Sequence, residues 1–244
     1  AYLGQNNGGT GSCVWACTGT TYGTFGGKNV GWFSLSSELY PAYVDKEKTR
    51  MQINGIGVAC HELTHALGLP DIYPIANSAH IDNQEMELWD LMDGGEYANN
   101  SYTPTPYTAW EKKQMDWNVD IVDLNESKTI IMNKTTEEGG SVYKIQNSKK
   151  ANEYFLIENI QQTGWNSGAQ YHGLQIYHVN DQDSINLDTH LNDTPGKPGM
   201  GIVPADGNSM SSYLRTSDTA YEEQHKGDLF PGTSNITVLN DTLG

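Results

Sequence analysis

Cys60-His61-Glu62-Leu63-Thr64-His65-Ala66-Leu67-Gly68-Leu69-Pro70-Asp71-Ile72 is the segment from which the remainder of the chain is best understood. His61 and His65 are four apart, so on a helix both imidazoles project from one face, one turn apart. Two such rings can meet a single Zn²⁺ at about 2.0–2.1 Å. Glu62 sits on the same turn, within reach of a water rather than of the metal. Two nitrogen ligands beside one carboxylate base is the division of labour of a zinc hydrolase. The helix is predicted over residues 54–67. Ile56, Ala59, Leu63, Ala66 and Leu67 form an apolar stripe expected to pack it onto the domain. Glu62 and His65 lie on the opposite face, with His61 on the boundary. Gly68 stands where a left-handed residue ends a helix, and Pro70 prevents its resumption. The chain therefore doubles back and brings Asp71 towards the metal, where a carboxylate oxygen binds zinc at about 2.0–2.2 Å.

The chain has 244 residues, 30 acidic against 14 basic, and a formal net charge of −16. Such a surface repels nucleic acid and anionic membranes, so neither is expected as a partner. A mean hydropathy of −0.58 and the lack of a long apolar run exclude a transmembrane helix. Charged residues are only 18 %, beside 26 Gly, 14 Tyr and 6 Trp. That balance is typical of extracellular bacterial enzymes, so a secreted or cell-surface location is expected. The chain opens on Ala1-Tyr2-Leu3-Gly4 and reads as a mature or trimmed part of a longer precursor. Of the three cysteines, Cys60 can pair with Cys13 or Cys17, or all three can be small buried hydrophobes; the sequence leaves both open.

The expected fold class is α+β, in two parts: a catalytic part over residues 1–119 and a β-rich part over 120–244 packed against it. Residues 1–30 read as a long glycine-rich loop. Gly31-Trp32-Phe33-Ser34-Leu35-Ser36 reads as a strand at a sheet edge, open to an extended peptide. Leu88-Trp89-Asp90-Leu91-Met92-Asp93-Gly94-Gly95 delivers Met92 into a tight turn. A helix is predicted over 105–115, with Thr105 as cap and Pro106 in its first position. Residues 129–132, 141–145, 153–158 and 173–179 read as strands, and Pro195-Gly196-Lys197-Pro198-Gly199 as a loop.

The Gly68 stop followed by Asp71 resembles the metzincin signature, with Asp where a third His is commoner. More widely, the chain resembles the immune-inhibitor-A-like bacterial metalloendopeptidases. The likeness is carried by the segment from His61 to Tyr73, by Trp89-Asp90-Leu91-Met92 and by Ala109-Trp110-Glu111-Lys112. Glu153-Tyr154-Phe155-Leu156-Ile157-Glu158-Asn159, Gly173-Leu174-Gln175-Ile176-Tyr177-His178-Val179 and Phe230-Pro231-Gly232 extend it. The resemblance implies a zinc endopeptidase acting on protein or peptide substrates. Its catalytic domain would have a mixed sheet, an active-site helix, a Met-turn at Met92 and a C-terminal helix. It further implies one catalytic Zn²⁺ held by His61, His65 and Asp71, Glu62 as catalytic base, and Ca²⁺ as a common companion ion. Pro74 and Asn180 depart from the family pattern, which often has Asp at both places, and the domain's early strands are expected upstream of residue 1.

Two other readings compete. Thermolysin-like enzymes share His-Glu-Leu-Thr-His and take a Glu ligand from a second helix; Glu85 stands at that spacing, with Glu87 nearby. Alternatively, the aromatic- and Asn-rich surface serves glycan binding on an inactive protease-like module. Tyr97, just past the Met92 turn, is a candidate to hydrogen-bond the oxyanion. His80, His172, His178, His190 and His225 read as structural or solvated, the last two on the surface.

Overall fold

The computed structural model describes residues 16–44, 47–80, 85–181, 185, 188–208 and 211–239. The fold is α+β: among the described residues, two β-hairpins, a mixed five-stranded sheet and three helices. β1 (Cys17–Phe25) and β2 (Lys28–Leu35) form the first hairpin. Residues 16–25 are thus not the loop expected from their glycine content. Thr and Tyr favour extended backbone, and Gly26 and Gly27, at φ +57° and +76°, supply the two left-handed positions a tight hairpin turn needs. The predicted strand at 31–36 lies within β2. β3 (Leu39–Val44) and β4 (Glu47–Ile53) form the second hairpin.

The sheet runs β5 (Ile121–Asp123), β6 (Val142–Gln146), β7 (Glu153–Ile160), β8 (Gly173–Asn180) and β9 (Met200–Ile202), in that order. β5 is parallel to β6 and the rest are antiparallel. Three of the predicted strands are therefore present as β6, β7 and β8. The fourth, 129–132, is irregular backbone: Ile131 is exposed and has no face to bury.

β7 is buried on both faces. Tyr154 and Leu156 join the main core with Leu69, Ile72, Trp89, Met92 and Trp110. Phe155, between them, points to a smaller cluster with Ile176, Ala205 and Phe230. The segments around the HExxH helix are thus seated on the sheet by one apolar cluster. Each fully buried large aliphatic side chain there contributes about 1.5–3 kcal/mol. No helix among the described residues is long and apolar enough to cross a membrane.

The first helix, α1 (Gly57–Ala66), is shorter than predicted and rotated from expectation. Ile56, Leu63 and Leu67 are 48 %, 57 % and 50 % exposed, whereas Val58, His61, Glu62 and Thr64 are buried. The apolar stripe therefore does not pack the helix onto the domain; its polar face does, because β1 and the segments after the helix fold over that side. α2 (Ala109–Gln114) starts later than Thr105 and Pro106 suggest. Thr108 is the cap, in a reciprocal box with Glu111 that satisfies backbone N–H groups at the helix start. α3 (Asp218–His225), capped by Ser217, is not among the predicted elements. Cys17 and Cys60 are both free thiols, so the pairing of these two is excluded; Cys13 lies outside the described residues.

Candidate metal centre

The site is assembled from the end of α1, the reversal after it and the turn carrying Met92. α1 ends at Ala66, and Gly68 adopts φ +100°, the backbone region open to glycine. That reversal brings the Leu69 carbonyl back to His65, whose Nδ1 lies 2.8 Å away. His61 Nδ1 lies 3.0 Å from the Leu91 carbonyl. A carbonyl only accepts, so each Nδ1 carries a proton and, in the neutral ring, Nε2 is left with a lone pair.

Both lone pairs point at one atom. Asp71 Oδ1 is 3.1 Å from His61 Nε2 and 3.3 Å from His65 Nε2. Three acceptors facing one another require a proton or a cation among them. For a tetrahedral ion with bonds of about 2.05 Å, neighbouring ligand atoms lie about 3.3 Å apart, which is what these separations offer. Among the described residues, His61, His65 and Asp71 form a group able to hold a metal ion, their ligand atoms within 4.8 Å of one another. Glu85 is not part of it; that side chain is buried beside Glu87 and Asp93, so the structure does not join it to the histidines.

The metal-free electrostatics follow from this convergence. Burial disfavours the charged His61 ring, but the Asp71 hydrogen bond and the nearby Glu96 outweigh it and push its pKa up to about 9. Burial would likewise raise Asp71, yet its bonds to His61 and His65 hold it well below the usual carboxylate range. Burial raises Glu62, and the charges of His61 and His65 partly offset that. Glu62 is buried on the helix face shared with the histidines, and Thr18 Oγ1 of β1 donates to its backbone carbonyl.

Met92 is completely buried, and its carbonyl accepts from Ile72 N at 2.9 Å. The Met92 turn therefore touches both ligand segments, through Leu91 to His61 and through Met92 to the residue after Asp71.

Residues 12–120 match the family model of the immune inhibitor A peptidase M6 catalytic domain. This part of the chain is similar to the catalytic domain of that peptidase family. The immune inhibitor A match spans α1, Asp71, the Met92 turn and α2, and ends before the motifs of β7 and β8. No curated protein and no solved structure matched the chain. Similarity to a peptidase family agrees with the metal-ready group.

Two residues of the site went unnoticed in the sequence. Glu96, in the turn Gly94–Tyr97, is buried with Oε2 3.9 Å from His61 Nδ1. Tyr73 stacks on His61 with ring centroids 6.4 Å apart and planes 16° from parallel. Burial and the Asp71 charge raise its hydroxyl far above the ordinary tyrosine value, keeping it a neutral donor. Tyr97 is 45 % exposed and hydrogen-bonded to Glu96. His225, expected on the surface, is fully buried with Nδ1 2.6 Å from Asp228 Oδ2, an oxygen that also accepts from Trp89 Nε1 at 2.8 Å.

Proposed function

We propose that this chain is a secreted zinc-dependent endopeptidase. The observation carrying that reading is the meeting of two imidazole lone pairs and one ionised carboxylate oxygen at His61, His65 and Asp71. Borderline-soft nitrogen ligands with a single carboxylate suit zinc better than calcium or magnesium, which take oxygen shells. Three protein ligands also leave the fourth position that a catalytic site needs.

His61, His65 and Asp71 would hold the zinc ion, which would supply Lewis acidity towards a water, whose pKa would fall towards about 7, and towards the scissile carbonyl. The chain's own residues do the rest. Glu62 takes a proton from the attacking water and returns it to the leaving amine, and burial raises its pKa above the ordinary carboxylate value. The carbonyls of Leu91 and Leu69 hold the two rings with Nε2 inward, which keeps them from rotating away from Asp71. Met92 is assigned the part of the Met-turn, an apolar floor below the site. Tyr97 is assigned the oxyanion contact, and calcium would serve elsewhere in the molecule.

Glu62→Gln keeps the shape of the side chain and removes the base. Peptide-library cleavage should fall by about 10²–10⁴-fold, with one zinc per chain retained by elemental mass spectrometry. A wild-type protein that binds zinc but cleaves no peptide under any condition would instead favour the inactive binding module.

A further inference from the structure

Two short motifs, Trp89-Asp90-Leu91-Met92 and Ala109-Trp110-Glu111-Lys112, place a pair of carboxyl groups face to face. Asp90 and Glu111 are both completely buried. Asp90 Oδ1 accepts from Met92 N at 2.7 Å. Glu111 Oε2 accepts from Thr108 N at 2.6 Å and from Thr108 Oγ1 at 3.0 Å. The remaining oxygen of each, Asp90 Oδ2 and Glu111 Oε1, is buried without a donor. Each carboxyl lies within hydrogen-bonding contact of the other.

Two ionised carboxylates cannot share such a place. The titratable groups around them offer no ready neutralisation. Asp93 of the same turn, Glu158 of β7, and Tyr107 and Tyr177 are acidic or neutral. The His61 ring of α1 also acts on Asp90, but its Nδ1 already faces the Leu91 carbonyl.

We infer that Asp90 and Glu111 share one proton in a carboxyl–carboxylate hydrogen bond, and that this pair positions the Leu91 carbonyl that orients His61. The proton resides on Asp90. Glu111 already accepts two bonds from Thr108, which favour its ionised form, whereas Asp90 accepts one. Burial raises both groups, Glu111 to about 7 and Asp90 well above its usual range. Asp90 also anchors the turn through its backbone carbonyl, which accepts from Gly95 N at 2.9 Å and Asp93 N at 3.3 Å. The pair thus ties α2 to the turn whose next two carbonyls meet His61 and Ile72.

The proton-sharing half stands alone; the positioning half matters to catalysis only through the proposed role of His61. Both are tested on the metal-free full chain, so that neither zinc nor peptidase activity enters the readout. Asp90→Asn keeps an acceptor for Met92 and gives Glu111 an amide donor. Glu111→Gln gives Asp90 a donor and lets it ionise. In the infrared, the wild type should show a protonated-carboxyl C=O stretch, and each amide variant should lose the same component. A merely structural contact would not remove one band through either partner, and survival of the band in either variant overturns the shared proton.

The His61 Nδ1–H resonance, assigned by its absence in His61→Gln, reads the positioning. Its exchange with solvent should stay slow in Asp90→Asn and become at least about tenfold faster in Asp90→Leu. Should Asp90→Leu not fold, Glu111→Met is measured in its place. Unchanged exchange in the apolar variant overturns the positioning role. Separately, a wild type that fails to bind zinc sinks the proposed function and leaves both of these results standing.

Discussion

Asp71 and the trio Glu85, Asp90 and Asp93 are all shielded from water, yet they respond in opposite directions. Asp71 sits between two imidazoles and is held well below the usual carboxylate range, although burial alone would raise it. Glu85, Asp90 and Asp93 lie among other carboxylates, Glu87 and Glu111, and go up, Glu85 to about 11. Burial pushes in the same direction everywhere; the neighbour determines the outcome. A carboxylate that keeps its charge and gathers nitrogen lone pairs is ready for a cation. Carboxyl groups that face one another hold protons and brace the turn below.

The sharpest way to break this contrast is to remove Asp71. Asp71→Ala should lower zinc affinity by more than the 10–100-fold typical of losing a supporting partner. In the metal-free variant the His61 pKa should fall from about 9 towards the ordinary value of about 6.5, because burial remains and only Glu96 is left as a counter-charge. Glu85→Ala should leave zinc content untouched. Elemental analysis and an NMR titration of the imidazoles test both, and zinc loss in Glu85→Ala alone would restore the thermolysin-like reading.

The wild type carries a second signature of the same contrast. Below about pH 9 the metal-free His61 is protonated, so an arriving zinc ion must displace that proton. Affinity measured against a competing chelator should rise about tenfold per pH unit between roughly pH 7 and 9, then level off. A flat profile would mean that His61 is not a ligand.

On the other side stands Glu85. Its folded pKa of about 11 exceeds the roughly 4.3 of an unfolded Glu, so between those values the folded protein holds the extra proton. This group's stabilising contribution is complete below about pH 4.3 and declines as pH rises towards 11, by about 1.4 kcal/mol per unit. Glu85→Gln should flatten the stability–pH curve and melt above wild type at pH 8. Urea melts from pH 5 to 8 read the slope, and parallel curves would refute the protonated state. The smallest effect is expected at the support of Glu111. Thr108→Ala removes the cap and one of its bonds and should cost about 1 kcal/mol, visible as a modestly lower urea midpoint.

Much of this was legible in residue order. The i, i+4 histidines, the glycine stop and the three strands β6, β7 and β8 are local patterns, and each is present where spacing and β-branched content place it. The buried face of α1 was not legible. Ile56, Leu63 and Leu67 form the better apolar stripe, yet they face solvent, because Leu69, Leu91 and Thr18 supply polar partners to the other side. Thr105 looked like a cap because Pro106 follows it, but the reciprocal box of Thr108 and Glu111 is the stronger start. The β1–β2 hairpin was hidden by its glycines, two of which form the turn itself.

By itself, then, the sequence determined the chemistry on offer: two imidazoles on one helical turn, a glutamate beside them and a carboxylate just past a left-handed stop. Such relations span a dozen residues and obey backbone geometry alone. Only the tertiary structure decided that Leu91 would hold His61, that Glu96 would stand behind it, and that Asp90 would meet Glu111 across twenty residues of intervening chain. Those contacts depend on how distant segments pack, and a buried charge is governed by whichever group packing places beside it.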